Sequence, residues 1–225
     1  MPVLGAFVAV ALVVGLGHAA ATARPQVSAS PEAPPIVAPH ERETNDNGDA
    51  VREGRDYAFQ GRINGKPIHW SCSNSIPVAI EGKVPAGAAA ALEFVVDRLA
   101  AASNLPLTIE PGTALRDDGN GAIRIRYVDE GEPAYGMKVS GSVVGKGGPT
   151  YSSSGVIQSG RVIVRNDMDP TTPTGQQVLM HEIGHALGLD HSQEGLREVM
   201  TPTSPHDAKP VLGPGDRVAL AAVGC

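Results

Sequence analysis

The stretch HEIGHALGLDH at residues 181–191 constrains the chain most, because it holds three of the seven histidines found in 225 residues. In a helix, His181 and His185 project from one face about one turn apart, so both imidazoles can reach one ion. Glu182 lies about 100° round the helix, where its carboxylate can hydrogen-bond a water at that ion without binding the ion itself. This is the HExxH arrangement of zinc sites.

A tetrahedral zinc site with one position left for water needs a third protein ligand. Gly188 can adopt the left-handed conformation that ends a helix, so that His191 approaches the ion from outside the helix. The sequence therefore predicts one Zn²⁺ held by His181, His185 and His191. HExxH alone should arise by chance in roughly one chain of this composition in a hundred, and the added glycine and histidine lower that to roughly one in 20,000.

The extended pattern resembles the metzincin signature HExxHxxGxxH, which is followed in that clan by a turn carrying a methionine beneath the metal. Met200 fits that turn, and Ser192 and Pro202 make the chain most similar to the matrixin branch. The resemblance implies a zinc metalloendopeptidase with Glu182 as general base. It also implies an extended protein or peptide substrate paired with an edge strand within 134–157.

The chain also departs from the usual matrixin pattern. Thr201 stands where a tyrosine usually separates the methionine from the proline, so the substrate pocket at Thr201 and Pro202 is expected to differ in shape. No cysteine precedes Cys72, so the tail lacks the thiol that keeps animal matrixins latent. With only His40 and His69 between the N-terminal segment and the motif, a second, structural zinc site is not supported.

Two acidic stretches, RDDGNGA (116–122) and RNDMDP (165–170), carry oxygen ligands of the type that Ca²⁺ prefers. Neither matches a twelve-residue calcium loop, and Asp-Gly and Asn-Gly pairs are typical of turns. One catalytic Zn²⁺ is therefore the expected cofactor, and the sequence gives calcium no support.

The first 23 residues carry no charged side chain, hold an apolar run, and end in the small residues Ala21-Thr22-Ala23. These features are typical of a secretory signal peptide, and we expect a secreted protein without stable membrane association. The alternative is an uncleaved membrane anchor, because about 20 apolar residues span a bilayer. Residues 24–56, rich in Pro, Ala, Glu and Asp, predict a disordered linker or short pro-segment, and 57–225 the metallopeptidase domain.

Two cysteines in an exported chain, Cys72 and Cys225, predict one disulfide that ties the last residue to the start of the domain; the alternative is two free thiols. The net charge is −6 and no Lys/Arg cluster is present, which argues against nucleic-acid binding. We expect a monomer whose partners are protein or peptide substrates.

The spacing of apolar residues predicts the order of the strands and helices in the domain. Short β-branched runs predict strands at Ile76–Ile80, Leu107–Ile109, Ala122–Val128 and Val162–Val164. A long amphipathic helix is predicted between the first two strands by the helical spacing of Leu92, Val95, Val96, Leu99 and Ala102.

Two further helices are predicted after the strands. One has Thr172 as N-cap, Pro173 as first residue and Gly188 as its stop, and a short one lies in GPGDRVALAAVG. This order favours an α/β domain. The metzincin resemblance implies a twisted, mostly parallel sheet with an antiparallel edge strand, a long helix, an active-site helix, and a C-terminal helix after the methionine turn.

A competing hypothesis is an exported, non-catalytic binding module in which the zinc is structural. A closed site needs a fourth protein ligand, and the nearest candidates are Glu194, Glu198 and His206. That hypothesis leaves Glu182 without a role. A gluzincin-type peptidase with Glu198 as third ligand leaves His191 unexplained.

Overall fold

A computed structural model describes residues 43–45, 47–115, 121–193, 196–203 and 209–225. All of them belong to one compact unit, Pro39–Cys225. Several predictions lie outside the described residues: the signal peptide at 1–23, residues 24–42 of the linker, most of the RDDGNGA stretch, and the ligand candidates Glu194 and His206.

The described residues form eleven strands and three α-helices. The strands are β1 (Ala58–Phe59), β2 (Arg62–Ile63), β3 (Lys66–Pro67), β4 (Ile76–Glu81), β5 (Leu107–Ile109), β6 (Ile123–Val128), β7 (Pro133–Ala134), β8 (Met137–Lys138), β9 (Gly145–Tyr151), β10 (Ile157–Arg165) and β11 (Leu189–Asp190). The α-helices are α1 (Ala88–Ser103), α2 (Pro173–Ala186) and α3 (Pro214–Val223), and one 3-10 turn spans Gly112–Ala114. None of these helices is both long enough and apolar enough to cross a membrane.

The central sheet has five strands in the order β5-β4-β6-β10-β9. The first four are parallel, and β9 runs antiparallel to β10 at the edge. The prediction of a mostly parallel sheet with an antiparallel edge strand is confirmed. β10 is longer than the predicted Val162–Val164, because Ser159 and Gly160 interrupt the apolar pattern but are buried within the sheet.

Helix α1 covers one face of the sheet with the residues that its spacing predicted, and Leu92, Val95, Val96 and Leu99 are all buried. It ends at Asn104, whose backbone has a φ of 56° and whose N–H donates to the carbonyl of Ala100 at 2.7 Å. α1 contacts both α2 and α3, so the three helices share one core with the sheet.

Helix α2 begins and ends as predicted. The hydroxyl oxygen of Thr172 accepts a hydrogen bond from Gly175 N at 3.1 Å, Pro173 is the first residue, and Gly188 has a φ of +104° just after the end. The helix lies so close to β9 that a Cβ on Gly147 would be 2.1 Å from the carbonyl oxygen of Glu182. The edge strand therefore requires glycine where it faces α2, which is why the segment GKGG forms a strand despite its composition.

The C-terminal end of the chain is fixed to the start of the domain. Cys72 and Cys225 form the predicted disulfide, which spans 153 positions of sequence. Next to it, Cys225 N donates to the carbonyl of Ser103 at 3.0 Å. The disulfide thus joins the end of α3 to the segment before β4 beside the last residue of α1.

Residues 43–45 and 47–56, which composition assigned to a linker without structure, make defined contacts with the domain. Arg217 of α3 donates from Nε and from an Nη to the carboxylate of Glu43, at 2.6–3.1 Å. Asp56 is 1% exposed, and its carboxylate accepts from Arg52 N at 2.8 Å and from Arg55 Nε at 3.0 Å. These contacts are polar. A prediction based on the small number of large apolar residues therefore does not detect them.

Candidate metal centre

Three imidazoles converge at the C-terminal half of α2. His181 and His185 come from one face of the helix, and the turn at Gly188 brings His191 back towards them. The Nε2 atom of His191 lies 3.3 Å from Nε2 of His181 and 3.2 Å from Nε2 of His185. Among the described residues, this is the one group of three or more His, Cys, Asp or Glu side chains placed to hold a metal ion.

The hydrogen bonds on the far side of two of these rings set their tautomers. His181 Nδ1 lies 2.7 Å from the carbonyl of Val199, and His185 Nδ1 lies 2.9 Å from the carbonyl of Leu189. A carbonyl only accepts, so each Nδ1 carries the proton and each Nε2 presents a lone pair to the centre of the group. Three nitrogens bound to one tetrahedral zinc lie about 3.3 Å apart, which the observed separations match.

Burial keeps His181 and His185 in the neutral, metal-binding form. It lowers the pKa of His181 to about 3, and the neighbouring His185 acts in the same direction. The pKa of His185 is also lowered, again chiefly by burial. Since a metal ligand must be unprotonated, the pocket prepares these two residues for a cation.

Glu182 lies next to the first ligand and is 6% exposed. Burial raises its pKa to about 8, while the positive charge of Lys146 on β9 acts in the opposite direction. A cation among the three imidazoles would also favour the ionised carboxylate. A Cβ on Gly145 would lie 2.5 Å from Oε1 of Glu182, so the glycine of the edge strand leaves room for this carboxylate.

A cleft of about 920 Å³ opens over the three histidines and Glu182. One wall is the start of the edge strand with the segment before it, and the other is formed by α2 and the residues after Met200. The predicted pocket residues Thr201 and Pro202 both line this cleft, together with the apolar side chains of Met168 and Val178. The histidine group and an apolar pocket therefore share one opening.

A family model described as Matrixin matches residues 137–222, which include the three histidines, Glu182 and Met200. The matched segment is less than half of the chain, and together with the histidine group it supports a matrixin-like metzincin. The matrixin match and the three histidines also support the activity of a zinc metallopeptidase. No curated protein matches the sequence.

The methionine turn of the matrixin-like domain packs under α2. Met200 is 2% exposed, and a Cβ on Gly184 would lie 2.6 Å from its sulfur, so the helix is free of a side chain where the methionine approaches. Ser192 N donates to the carbonyl of Met200 at 2.9 Å, which joins the turn to the residue after His191. The carbonyl of Val199 holds His181, so the turn supports two of the three histidines.

Two buried carboxylates hold this turn: Asp216, for which the sequence predicted no role at the site, and Glu198, which the sequence offered only as an alternative metal ligand. Asp216, in the first turn of α3, accepts from Val199 N at 2.6 Å and from Met200 N at 3.1 Å. Glu198 accepts from Gly215 N at 3.1 Å and from Asp216 N at 3.0 Å. Glu198 therefore caps α3 and does not join the histidines, so the gluzincin alternative and the role of Glu198 as fourth ligand are wrong.

This carboxylate pair gives the matrixin-like domain a pH dependence of stability. Burial, and next the charge of Asp216, raise the pKa of Glu198 from 4.5 to about 7. The folded protein thus holds this proton more tightly than the unfolded chain. Its contribution to stability is complete below about pH 4.5 and is lost as the pH rises through about 7.

Glu198→Gln, which cannot titrate, should remove this dependence. We expect the difference in free energy of unfolding, wild type minus variant, to decrease steadily from about pH 4.5 to about 7. Chemical denaturation of the zinc-free protein measures it, and titration of the histidines cancels in the difference. Glu93→Gln, at an exposed position of α1, is the matched control and should give a flat curve. A flat curve for Glu198→Gln would contradict the assignment.

Proposed function

We propose that the chain is a secreted, zinc-dependent endopeptidase that hydrolyses peptide bonds of extracellular proteins. The observation that carries the proposal is the convergence of three Nε2 atoms beside a buried glutamate, in a cleft bordered by an open sheet edge. Zn²⁺ would be held by His181, His185 and His191. When bound there, zinc supplies Lewis acidity, which polarises a carbonyl and lowers the pKa of water towards about 7.

Glu182 is the general base in this proposal. Its carboxylate takes a proton from the attacking water and delivers it to the leaving amine, so no acyl-enzyme forms. Only 6% of Glu182 is exposed, and that part faces the cleft in which the substrate would lie.

The substrate would add a strand to β9. Arg165 N donates to the carbonyl of Val144 at 2.8 Å, so Val144 faces β10. Because successive residues of an antiparallel strand face opposite sides, the N–H and C=O groups of Gly145 and Gly147 point to the open edge. Pro149, next on that edge, has no N–H to donate. An extended peptide would therefore pair with Gly145 and Gly147, beside Glu182.

Export is part of the same proposal. The uncharged, apolar first 23 residues support cleavage of a signal peptide, and a disulfide between Cys72 and Cys225 is typical of proteins that fold outside the reducing cytosol. Residues 24–56 are then the linker or a short pro-segment of the exported chain.

The competing function, a binding module with a structural zinc, is less well supported. A closed site needs four protein ligands, and within the described ranges no fourth His, Cys, Asp or Glu joins the group. Glu198 is engaged by backbone N–H groups of α3. A buried glutamate beside the histidines has no function in such a module.

A digest of a peptide library by the purified protein tests the proposal. We expect cleavage that stops with 1,10-phenanthroline, continues with its non-chelating 1,7 isomer, and returns on addition of Zn²⁺. The apolar lining of the cleft predicts a large apolar side chain on one side of the cut bond. Cleavage that resists the chelator, or no cleavage by the zinc-loaded protein, would overturn the proposal.

A further inference from the structure

Gln60 contacts the candidate metal centre from a part of the chain more than 100 residues away. It directly follows β1, and its backbone N–H donates to the carbonyl of Gly188 at 2.9 Å. Its side-chain amide nitrogen lies 3.1 Å from Nδ1 of His185. One residue therefore holds both the turn that ends α2 and the ring of the second histidine.

The connection between the second and third histidines depends on this N-terminal segment. β1 pairs with β11, with Phe59 opposite Leu189 and Ala58 opposite Asp190. Further along, Gln193 N donates to the carbonyl of Arg55 at 2.9 Å. The backbone from residue 188 to 193 is thus bonded to residues 55–60, and Gln60 is the residue of that segment that also reaches a histidine ring.

The contact at His185 bears on which ring nitrogen carries the proton. A glutamine amide can donate or accept, because a half-turn of its last torsion exchanges oxygen and nitrogen. If the amide donates to Nδ1, the proton of the neutral ring sits on Nε2, which then has no lone pair for a metal. If the amide oxygen accepts from Nδ1, the lone pair of Nε2 faces the other two histidines. The carbonyl of Leu189 favours the second arrangement, in which the amide of Gln60 is turned so that its oxygen takes the place of the nitrogen that lies 3.1 Å from Nδ1.

We infer that Gln60 is a positioning residue of the zinc site: its amide oxygen, with the carbonyl of Leu189, keeps the proton of His185 on Nδ1. Its backbone N–H fixes the turn that leads to His191. The inference rests on the proposed function, since it needs a metal that binds the three histidines. Residues of this kind, one step beyond the ligands, commonly change metal affinity by about 10–100-fold when replaced.

The test compares Gln60→Met with Gln60→Glu in the full chain. Methionine has nearly the same shape but no strong acceptor, and we expect the Kd for Zn²⁺ to rise about 10-fold or more. The ionised carboxylate of a glutamate is an acceptor only and cannot donate to Nδ1. Gln60→Glu should therefore bind Zn²⁺ at least as tightly as the wild type. Competition with a chromophoric chelator measures both values. Gln158→Met, at an exposed position of β10, is the matched control and should leave the Kd unchanged.

A second measurement tests the role of Gln60 without bound zinc. In the zinc-free protein, the ring ¹⁵N shifts of His185 should report the Nδ1–H tautomer in the wild type and in Gln60→Glu. In Gln60→Met, the carbonyl of Leu189 is the one acceptor left of the two, and the share of the Nε2–H tautomer should increase. An unchanged Kd and tautomer in Gln60→Met, or a Gln60→Glu variant as weak as Gln60→Met, would overturn the role of Gln60. A wild-type protein that binds no Zn²⁺ would instead overturn the proposed function.

Discussion

Replacing Glu182 by Gln is expected to lower kcat/KM for peptide cleavage by about 10²–10⁴-fold, the usual contribution of a positioned acid or base. Glutamine keeps the shape of the side chain but cannot take a proton from water. The three histidines are untouched, so the Zn²⁺ content should stay at that of the wild type. Steady-state cleavage of a fluorogenic peptide and metal analysis of the same preparation measure both quantities.

The stability of this variant separates lost chemistry from lost structure. Because burial raises the pKa of Glu182, a neutral amide at this position costs no desolvation of charge, and the zinc-free variant should unfold at the same temperature as the wild type or higher. Glu93→Gln should change neither activity nor stability, since that residue is exposed on α1. A Glu182→Gln variant that loses zinc, or cleaves at the wild-type rate, would contradict the role of general base.

The features that could be predicted from the sequence are those fixed by neighbours in the chain. The Thr172 cap, the start at Pro173 and the stop at Gly188 each depend on backbone groups within about one turn, and the spacing of His181 and His185 places both on one face. The histidine group followed because one helix and one turn build it. Features of this kind depend on residues close together in the sequence, so they can be predicted without knowledge of the rest of the fold.

The supporting residues were missed because each acts across a long stretch of chain. Gln60 reaches His185 from 125 positions away, and Asp216 reaches Val199 from 17 positions away. No spacing rule marks such residues, since their partners are brought near by the sheet and by α3. Asp216 did carry a weak signal: it lies in the first turn of a predicted helix, where carboxylates are favoured.

The Gly-rich edge strand shows how packing can override composition. Glycine is depleted in strands, so the segment around Gly145 and Gly147 could not be assigned from propensity alone. The reason for the glycines is the close approach of α2, where a Cβ on either residue would clash with Glu182. Only the relation between two distant elements explains them.

The disulfide should make the largest single contribution to stability. Cys72 and Cys225 close a loop that spans 153 positions, and the entropy removed from the unfolded chain by so long a loop corresponds to as much as about 5 kcal/mol. Loss of the disulfide should affect the C-terminal end of α3 most. Its residues Ala219, Leu220 and Val223 are buried in the shared core. The other end of α3 is held separately by Asp216 and Glu198.

We therefore expect the double variant Cys72→Ser, Cys225→Ser to lose about 2–5 kcal/mol of the free energy of unfolding while keeping its activity at 25 °C. The methionine turn depends on Asp216, at the end of α3 remote from the disulfide, so the histidines should keep their positions until the domain unfolds as a whole. Urea denaturation with and without bound zinc measures the loss, and the wild type in dithiothreitol should match the double variant.

A loss of activity in parallel with the disulfide, at a temperature where the domain stays folded, would show that α3 transmits strain from Cys225 to the turn. A change below about 0.5 kcal/mol, the size of an ordinary surface substitution, would mean that the unfolded chain gains little freedom when the loop is opened.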